Sequence, residues 1–484
     1  MAGRSRSPIP WLLAAALLCG ATLAIRWPGV AMYDSVAQYA QALSGQYTDW
    51  HPPIMARLWA LLIPLWPGTA PFFLAQMLLW WGGLGLLAAA LGRRQRHGAA
   101  ACVLLVGAAP LFLGWVTVVL KDAQMACCLA ATTGLAAHWR LQDRSIPRWA
   151  AALILILIAY ATLVRGNAVF ATVPFGVALF GWGGVRRLWA RTAMLAALTL
   201  AVLAASPPIN DRLLGAEPSE VTRALPLYDL AGVAHFGGLP AVPGLTPAQW
   251  REAERRGCYT PFFWNPYGEP SQCGFVGDAV AFDDETGAHI MGAWAWQVAR
   301  HPLAYARHRL GHINANLRFW VGPEEPDAVP PLHSERNRLG LGEPPGEAAS
   351  ALIAAARAMA GSPLGWPALW LALAIGLLWA SARSAATGGA RLGRALALSA
   401  ACMSASFVVV SLASDVRYHL WSMIAAALAL IVLVDARALD PRRMRIAGGI
   451  VLALMIVATA ARLGLAAPVY VPVPPHIVPA GMLR

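Results

Sequence analysis

The sequence predicts an all-α polytopic membrane protein with about eleven transmembrane helices, two structured outer loops and no barrel. Three observations predict it. Hydrophobic residues make up 58% of the 484 positions and charged ones 13%, with a mean hydropathy of +0.54. That is more apolar surface than one soluble core can hide, so lipid is the solvent. The apolar residues fall in runs long enough to satisfy every backbone N–H and C=O within a spanning helix, and the short alternating segments of a closed barrel are absent. The formal net charge of +13 is carried largely by arginines in short runs between those apolar segments, a topology signal rather than a nucleic-acid surface.

Taken in order, the apolar windows predict helices near 10–26, 70–91, 100–119, 123–139, 149–165, 168–184, 192–206, 363–382, 395–413, 419–436 and 447–465. Met1 to Ile25 has a basic start but no small-residue cleavage site before Arg26-Trp27-Pro28, and it reads as a retained first helix. Arg4 and Arg6, Arg93-Arg94-Gln95-Arg96, Arg140 to Arg148, Arg186-Arg187 to Arg191, Arg383 to Arg394 and Arg437 to Arg445 all fall on one side. The positive-inside rule makes that side cytoplasmic, along with the N-terminus, and places the tail 466–484 outside. The chain thus divides into an N-terminal transmembrane module, 1–206, with a first outer loop at 27–69; a large outer loop or subdomain, 207–362; a C-terminal module, 363–465; and the tail.

Within the first outer loop, Met32 to Leu43 and Pro52 to Leu65 read as interfacial helices. The large loop is too aromatic for a disordered linker. It carries the turn-rich Tyr259 to Tyr267 and an amphipathic stretch, Ala293 to Trp320, whose Arg300, His301, Arg307, His308, Arg309 and His312 are expected to meet anionic headgroups. Asp229, in the same loop, is expected to be an ordinary solvated acid. Cys19, Cys102, Cys127, Cys128 and Cys402 lie in apolar segments and read as packing residues. Cys258 and Cys273, with fourteen residues between them in the loop, can pair if it faces an oxidising compartment, or remain free thiols.

The chemistry gathers at the outer helix ends: Asp34, Asp49 and His51, then Lys121-Asp122, Arg165-Gly166-Asn167 and Asp415-Val416-Arg417-Tyr418-His419. Ionisable groups at a membrane boundary are costly and persist when they pair, bind substrate or react. Lys121 is the only lysine in the chain, which sets it apart from an arginine-rich background. Carboxylates facing fixed cations beside lipid suit a phosphate-bearing lipid. Arg165, Arg417 and Lys121 are candidate phosphate ligands, with Tyr418, His51, Asp49, Asp122 and Asn167 beside them. Asp34 is the candidate base for an acceptor hydroxyl. No cofactor is obligatory, since the cations can stabilise a leaving phosphate. A divalent metal is compatible with this chemistry but has no Cys/His cluster in its favour, and no phosphate-binding Gly loop points to ATP.

Each residue has a plainer reading too. Asp34 can cap a helix beginning near Ser35. His51-Pro52-Pro53 can be a helix start. Lys121, Arg165 and Arg417 can snorkel to the interface, and Asp415 can simply neutralise Arg417.

The run Tyr33-Asp34-Ser35 through Gly45-Gln46-Tyr47 to Asp49-Trp50-His51-Pro52-Pro53 resembles the first outer loop of GT-C type glycosyltransferases, the integral-membrane class of protein mannosyltransferases and aminoarabinose transferases. Lys121-Asp122, Arg165-Gly166-Asn167, Tyr228-Asp229-Leu230-Ala231 and Arg417-Tyr418 resemble a bacterial branch of that class. In place of the proline that often follows the late Arg-Tyr, this chain has His419-Leu420-Trp421.

The resemblance implies a GT-C-like fold and transfer of a sugar from a polyprenyl-phosphate donor to a lipid, glycan or protein acceptor. The reaction would occur at the periplasmic face of the bacterial inner membrane, with Asp34 as base. The 207–362 loop is left to recognise the acceptor. The competing functions are a transporter or flippase of a lipid-linked saccharide, which needs a midplane site rather than a one-sided one, and a polymerase or ligase of surface polysaccharide.

Overall fold

Long runs of Ala, Leu, Ile and Trp with few polar interruptions form helices, because in lipid the only partners for the backbone are its own amides. The computed structural model describes residues 8–185, 187–322 and 328–467; Arg4, Arg6, Arg186 and most of the predicted outer tail lie outside them. Each of the eleven apolar windows is largely helical. Among the described residues, six helices are long and apolar enough to cross a membrane: Ile9–Arg26, Ala70–Arg93, Leu188–Leu213, Gly388–Val410, Val416–Asp435 and Pro441–Gly464. A seventh candidate is the pair His97–Ala108 and Pro110–Val116, bent by 58° at Pro110, whose ring cannot continue the preceding turn. Arg148–Leu163, Gly166–Phe180 and Pro367–Ser381 are shorter apolar helices, and Lys121–Arg140 is a longer one with more polar residues.

Helices Ala70–Arg93 and Lys121–Arg140 form the central pair. Glycines permit their close approach: a Cβ on Gly83 would lie 2.5 Å from the Ala130 carbonyl, and one on Gly134 would collide with the backbone of Gly83. Small residues at such a crossing let backbones pack where no water drives helices together. Around them Trp59, Trp80, Trp81, Trp115 and Trp421 are fully buried. Gly134→Val is therefore expected to cost about 1–3 kcal/mol or more by overpacking, read as a lowered unfolding midpoint in detergent; an unchanged midpoint would refute the close approach.

Hydrogen bonds and ion pairs sort the turns between helices into two ends. At one end, Arg94 and Arg96 pair with Asp435, Arg94 donates to the Leu141 carbonyl, Arg140 donates to Leu179, Asp143 accepts from the Gly388 N–H, and Arg443 donates to Trp379. These are the arginine-rich turns that the charge pattern places together. At the other end, Val30 bridges Val118 in parallel, and Ser35 Oγ donates to the Val119 carbonyl at 2.5 Å.

The first loop folds as two short helices, Tyr33–Ser44 and Ile54–Leu62, close to the predicted pair. It is tied to the large loop by a two-residue parallel ladder, Tyr47–Thr48 against Ala216–Glu217. The large loop has its own core around Tyr228, Trp250, Tyr267 and Ile290, closed by a Cys258–Cys273 disulfide with Cα atoms 6.0 Å apart. Its predicted amphipathic stretch is two helices, Ile290–Arg300 and Pro302–Leu317. Among the remaining cysteines, Cys19, Cys127 and Cys128 are packed as expected, whereas Cys102 is exposed on its helix.

Candidate active site

Asp34 lies in the first turn of helix Tyr33–Ser44. It is not the cap that a helix start near Ser35 would make it. The Met32 N–H is taken by Ser35 Oγ at 3.1 Å, and the Asp34 carboxylate turns away toward cations. Lys121 Nζ lies 3.2 Å from Oδ2, Arg417 Nη2 lies 3.6 Å from the same oxygen, and His51 Nε2 lies 3.7 Å from Oδ1. The Asp34 side chain is 11% exposed. Burial alone pushes its pKa up, but the charges of Lys121 and Arg417 outweigh this and hold the carboxyl well below the usual range.

Four separate chain segments deliver these groups. Lys121 opens helix Lys121–Arg140, and its ammonium donates to His51 Nδ1 at 2.7 Å. Burial, reinforced by Lys121, pushes the His51 pKa down to about 3. The ring is therefore neutral at pH 7, with its proton on Nε2 facing Asp34. Pro53 caps helix Ile54–Leu62, so the two prolines do act as a helix start while His51 joins the site.

Arg165 forms an ion pair with Asp122, donates from Nε to Asn167 Oδ1 at 2.5 Å, and stacks over the Tyr418 ring at 4.4 Å. Arg417 is held from behind by Asp415, Nε to Oδ2 2.6 Å, and its guanidinium lies 5.5 Å from the same Tyr418 ring. Tyr418 thus spaces two guanidinium groups. Three cations, Lys121, Arg165 and Arg417, stand against three carboxylates, Asp34, Asp122 and Asp415, so charge balances within the buried cluster.

The structure brings together Asp34, His51, Lys121, Asp122, Arg165, Asn167, Arg417 and Tyr418. It does not bring in Asp49. That carboxylate accepts from the Ser219 N–H at 2.6 Å and the Ser219 hydroxyl at 2.5 Å, fastening the first loop to the large one. Among the described residues, no group of three or more His, Cys, Asp or Glu side chains is placed to hold a metal ion.

Two readings of the large loop are corrected. Asp229 is fully buried, not solvated, and it binds Trp294 Nε1 at 2.8 Å, His308 Nε2 at 3.0 Å and Arg309 Nη2 at 2.8 Å. His308, Arg309 and His312 are likewise buried, and only the Arg300 and Arg307 side of the stretch is exposed. Burial alone would raise the Asp229 pKa; the His308 hydrogen bond and the Arg309 charge bring it below the ordinary value. The sequence signal was available in part: a helix carrying His, Arg and His at positions 308, 309 and 312 puts all three on one face.

The chain matches no protein-family model and no curated protein. Among solved structures it is similar to the Archaeoglobus fulgidus oligosaccharyltransferase in complex with zinc and sulfate, at 14% identity over 95% of this chain and 54% of that one, with a TM-score of 0.34. The oligosaccharyltransferase AglB from Archaeoglobus fulgidus, in complex with an inhibitory peptide and a dolichol-phosphate, gives 15% identity, 96% and 56% coverage, and a TM-score of 0.34. ArnT from Cupriavidus metallidurans, bound to undecaprenyl phosphate, gives 14% identity, 88% and 77% coverage, and a TM-score of 0.30. The chain spans about half the length of the two archaeal structures.

Proposed function

We propose that the chain is a GT-C type glycosyltransferase. It would move a sugar from a polyprenyl-phosphate donor to an acceptor hydroxyl at the periplasmic face of the bacterial inner membrane, the face opposite the arginine-rich turns. The observation that carries this reading is one buried carboxylate, Asp34, sharing Lys121 and Arg417 at 3.2 and 3.6 Å. Such a site suits a reaction in which negative charge passes from a base to a leaving group.

The donor is a phosphodiester with one negative charge. When the acceptor oxygen attacks the anomeric carbon, the C–O bond to phosphate breaks with its electron pair. The leaving polyprenyl phosphate becomes a dianion. Asp34 takes the acceptor's proton and becomes neutral. One negative charge moves from the base to the phosphate, and the total charge of the buried site is unchanged. Lys121 and Arg417, between the two, stabilise the charge at both ends of that shift without solvent reorganisation. Arg165 extends the phosphate clamp, with Tyr418 and Asn167 fixing its plane and Asp122 its charge. Attack opposite the leaving phosphate inverts the anomeric configuration.

Two measurements test the reading. Purified protein supplied with a polyprenyl-phosphate sugar and an acceptor should release polyprenyl phosphate and form a single-residue glycosidic product. Net movement of labelled lipid across vesicles without that product would instead indicate a transporter, and a transferred chain would indicate a polymerase or ligase. Separately, Lys121→Ala and Arg417→Ala should each weaken polyprenyl phosphate binding by about 10- to 100-fold, the loss expected for a hydrogen bond to a charged group. Unchanged affinity in both would remove the phosphate from this site.

A further inference from the structure

We infer that Asn316, on an extramembrane helix of the large loop, is the positioning residue for Arg417. This inference rests on the reading of Arg417 as a phosphate ligand. Arg417 belongs to a connection between helices Gly388–Val410 and Leu420–Asp435 that is neither long nor helical at its start, with a single 3-10 turn, Val416–His419, at its end. Asp415, within the connection, pairs with the guanidinium, but the connection has little regular structure of its own to fix that pair in space. Asn316 is buried and bonds it on both sides of Arg417. Its Nδ2 donates to Ser411 Oγ at 3.1 Å and to the Ala413 carbonyl at 3.0 Å, upstream. Its Oδ1 faces His419 Nε2 at 2.7 Å, downstream. The amide is a staple across the turn.

The hydrogen-bond inventory sets the proton positions. Both Asn316 N–H groups are spent on oxygens, so Oδ1 must accept and His419 must donate from Nε2. His419 Nδ1 then accepts from the Ser404 hydroxyl at 3.1 Å. Every polar atom of the Asn316 amide is used, within a pocket where an unpaired one would be costly.

The rest of the large loop holds the same segment. Arg309 Nη1 donates to the Ser411 carbonyl at 2.7 Å while Nη2 reaches Asp229. The Trp264 N–H donates to Leu412 O at 3.0 Å, Phe263 pairs with Ala413 in an antiparallel bridge, and Ser414 Oγ donates to the Phe262 carbonyl at 2.9 Å. The buried Asp229–Arg309–His308 network fixes helix Pro302–Leu317, and Asn316 near its end fixes the turn. The extramembrane unit therefore sets the grip on the lipid donor, in addition to any part it plays with the acceptor.

The experiment is a double-mutant cycle on binding of polyprenyl phosphate to the full chain in lipid nanodiscs, with Asn316→Leu, Arg417→Ala and the double variant. Asn316→Leu should weaken binding by at least about tenfold, and the double variant should be no weaker than Arg417→Ala alone. Losses that multiply to within about twofold, as independent sites do, would overturn the inference, as would wild-type binding by Asn316→Leu when Arg417→Ala binds poorly. If Arg417→Ala binds like the wild type, the phosphate reading itself has failed and the inference falls with it. Should Asn316→Leu not fold, His419 gives a second route. His419→Gln keeps a donor near the Nε2 position and should recover most of the binding that His419→Leu loses; equal affinity of those two variants would overturn the staple.

Discussion

In the Asp34→Asn variant, sugar transfer is expected to fall by about 10²- to 10⁴-fold, the contribution of a positioned general base, while the protein stays folded and still binds polyprenyl phosphate. The carboxamide has the shape of the carboxylate and offers Lys121 and Arg417 an oxygen, but it cannot take the acceptor's proton. Removing the negative charge also leaves those two cations more fully available to phosphate, so affinity for polyprenyl phosphate should hold or rise. That opposition separates a base from a scaffold residue, whose loss lowers both. Undiminished turnover would remove Asp34 from the mechanism.

The pH profile carries the same logic. With its pKa held well below the usual carboxylate range, Asp34 is ionised throughout the physiological range in the empty site, but it is a poor proton acceptor. A phosphate entering the site draws Lys121 and Arg417 toward itself and adds negative charge nearby, and both effects raise the Asp34 pKa toward a useful value. The base must be unprotonated to act, so activity falls as pH drops through its pKa. The profile of kcat/KM reports the free enzyme and that of kcat the complex; the acid limb of kcat is therefore expected at higher pH than that of kcat/KM. Coincident limbs would refute the coupling.

Much of this arrangement was legible in the chain because membranes make it so. Apolar runs of spanning length have one solution, and Asp34, Lys121, Arg165 and Arg417 stand out at their ends because ionisable groups there are expensive. The large loop was far less readable. The burial of His308, Arg309 and His312 depends on Asp229, about 80 residues earlier, and no local period encodes a partner at that distance. The Pro302 break likewise turned one amphipathic stretch into two helices with different surroundings. Asp49 misled for the opposite reason: it stands close in sequence to His51, yet its carboxylate serves the Ser219 turn. His419 had no local meaning until Asn316 was brought beside it.

The Asp122→Asn variant is expected to lose about 3–5 kcal/mol of stability, the cost of removing one partner from a buried ion pair. Arg165 would retain only Asn167 and the Tyr418 ring among its described partners, neither of which supplies a negative charge. The loss has a particular remedy. With Asp122 neutral, the cluster carries three cations against Asp34 and Asp415 alone, and an anion is what it lacks. Polyprenyl phosphate stabilises any protein that binds it in the folded state, by about 2.7 kcal/mol at a hundredfold excess over Kd. In the variant it should bind more tightly than in the wild type and raise the unfolding midpoint further. Thermal unfolding in nanodiscs with and without polyprenyl phosphate reads both effects at once: a lower midpoint for the empty variant and a larger upward shift on adding the lipid. A shift no larger than that of the wild type would mean that Arg165 does not face the phosphate, and would confine the clamp to Lys121 and Arg417.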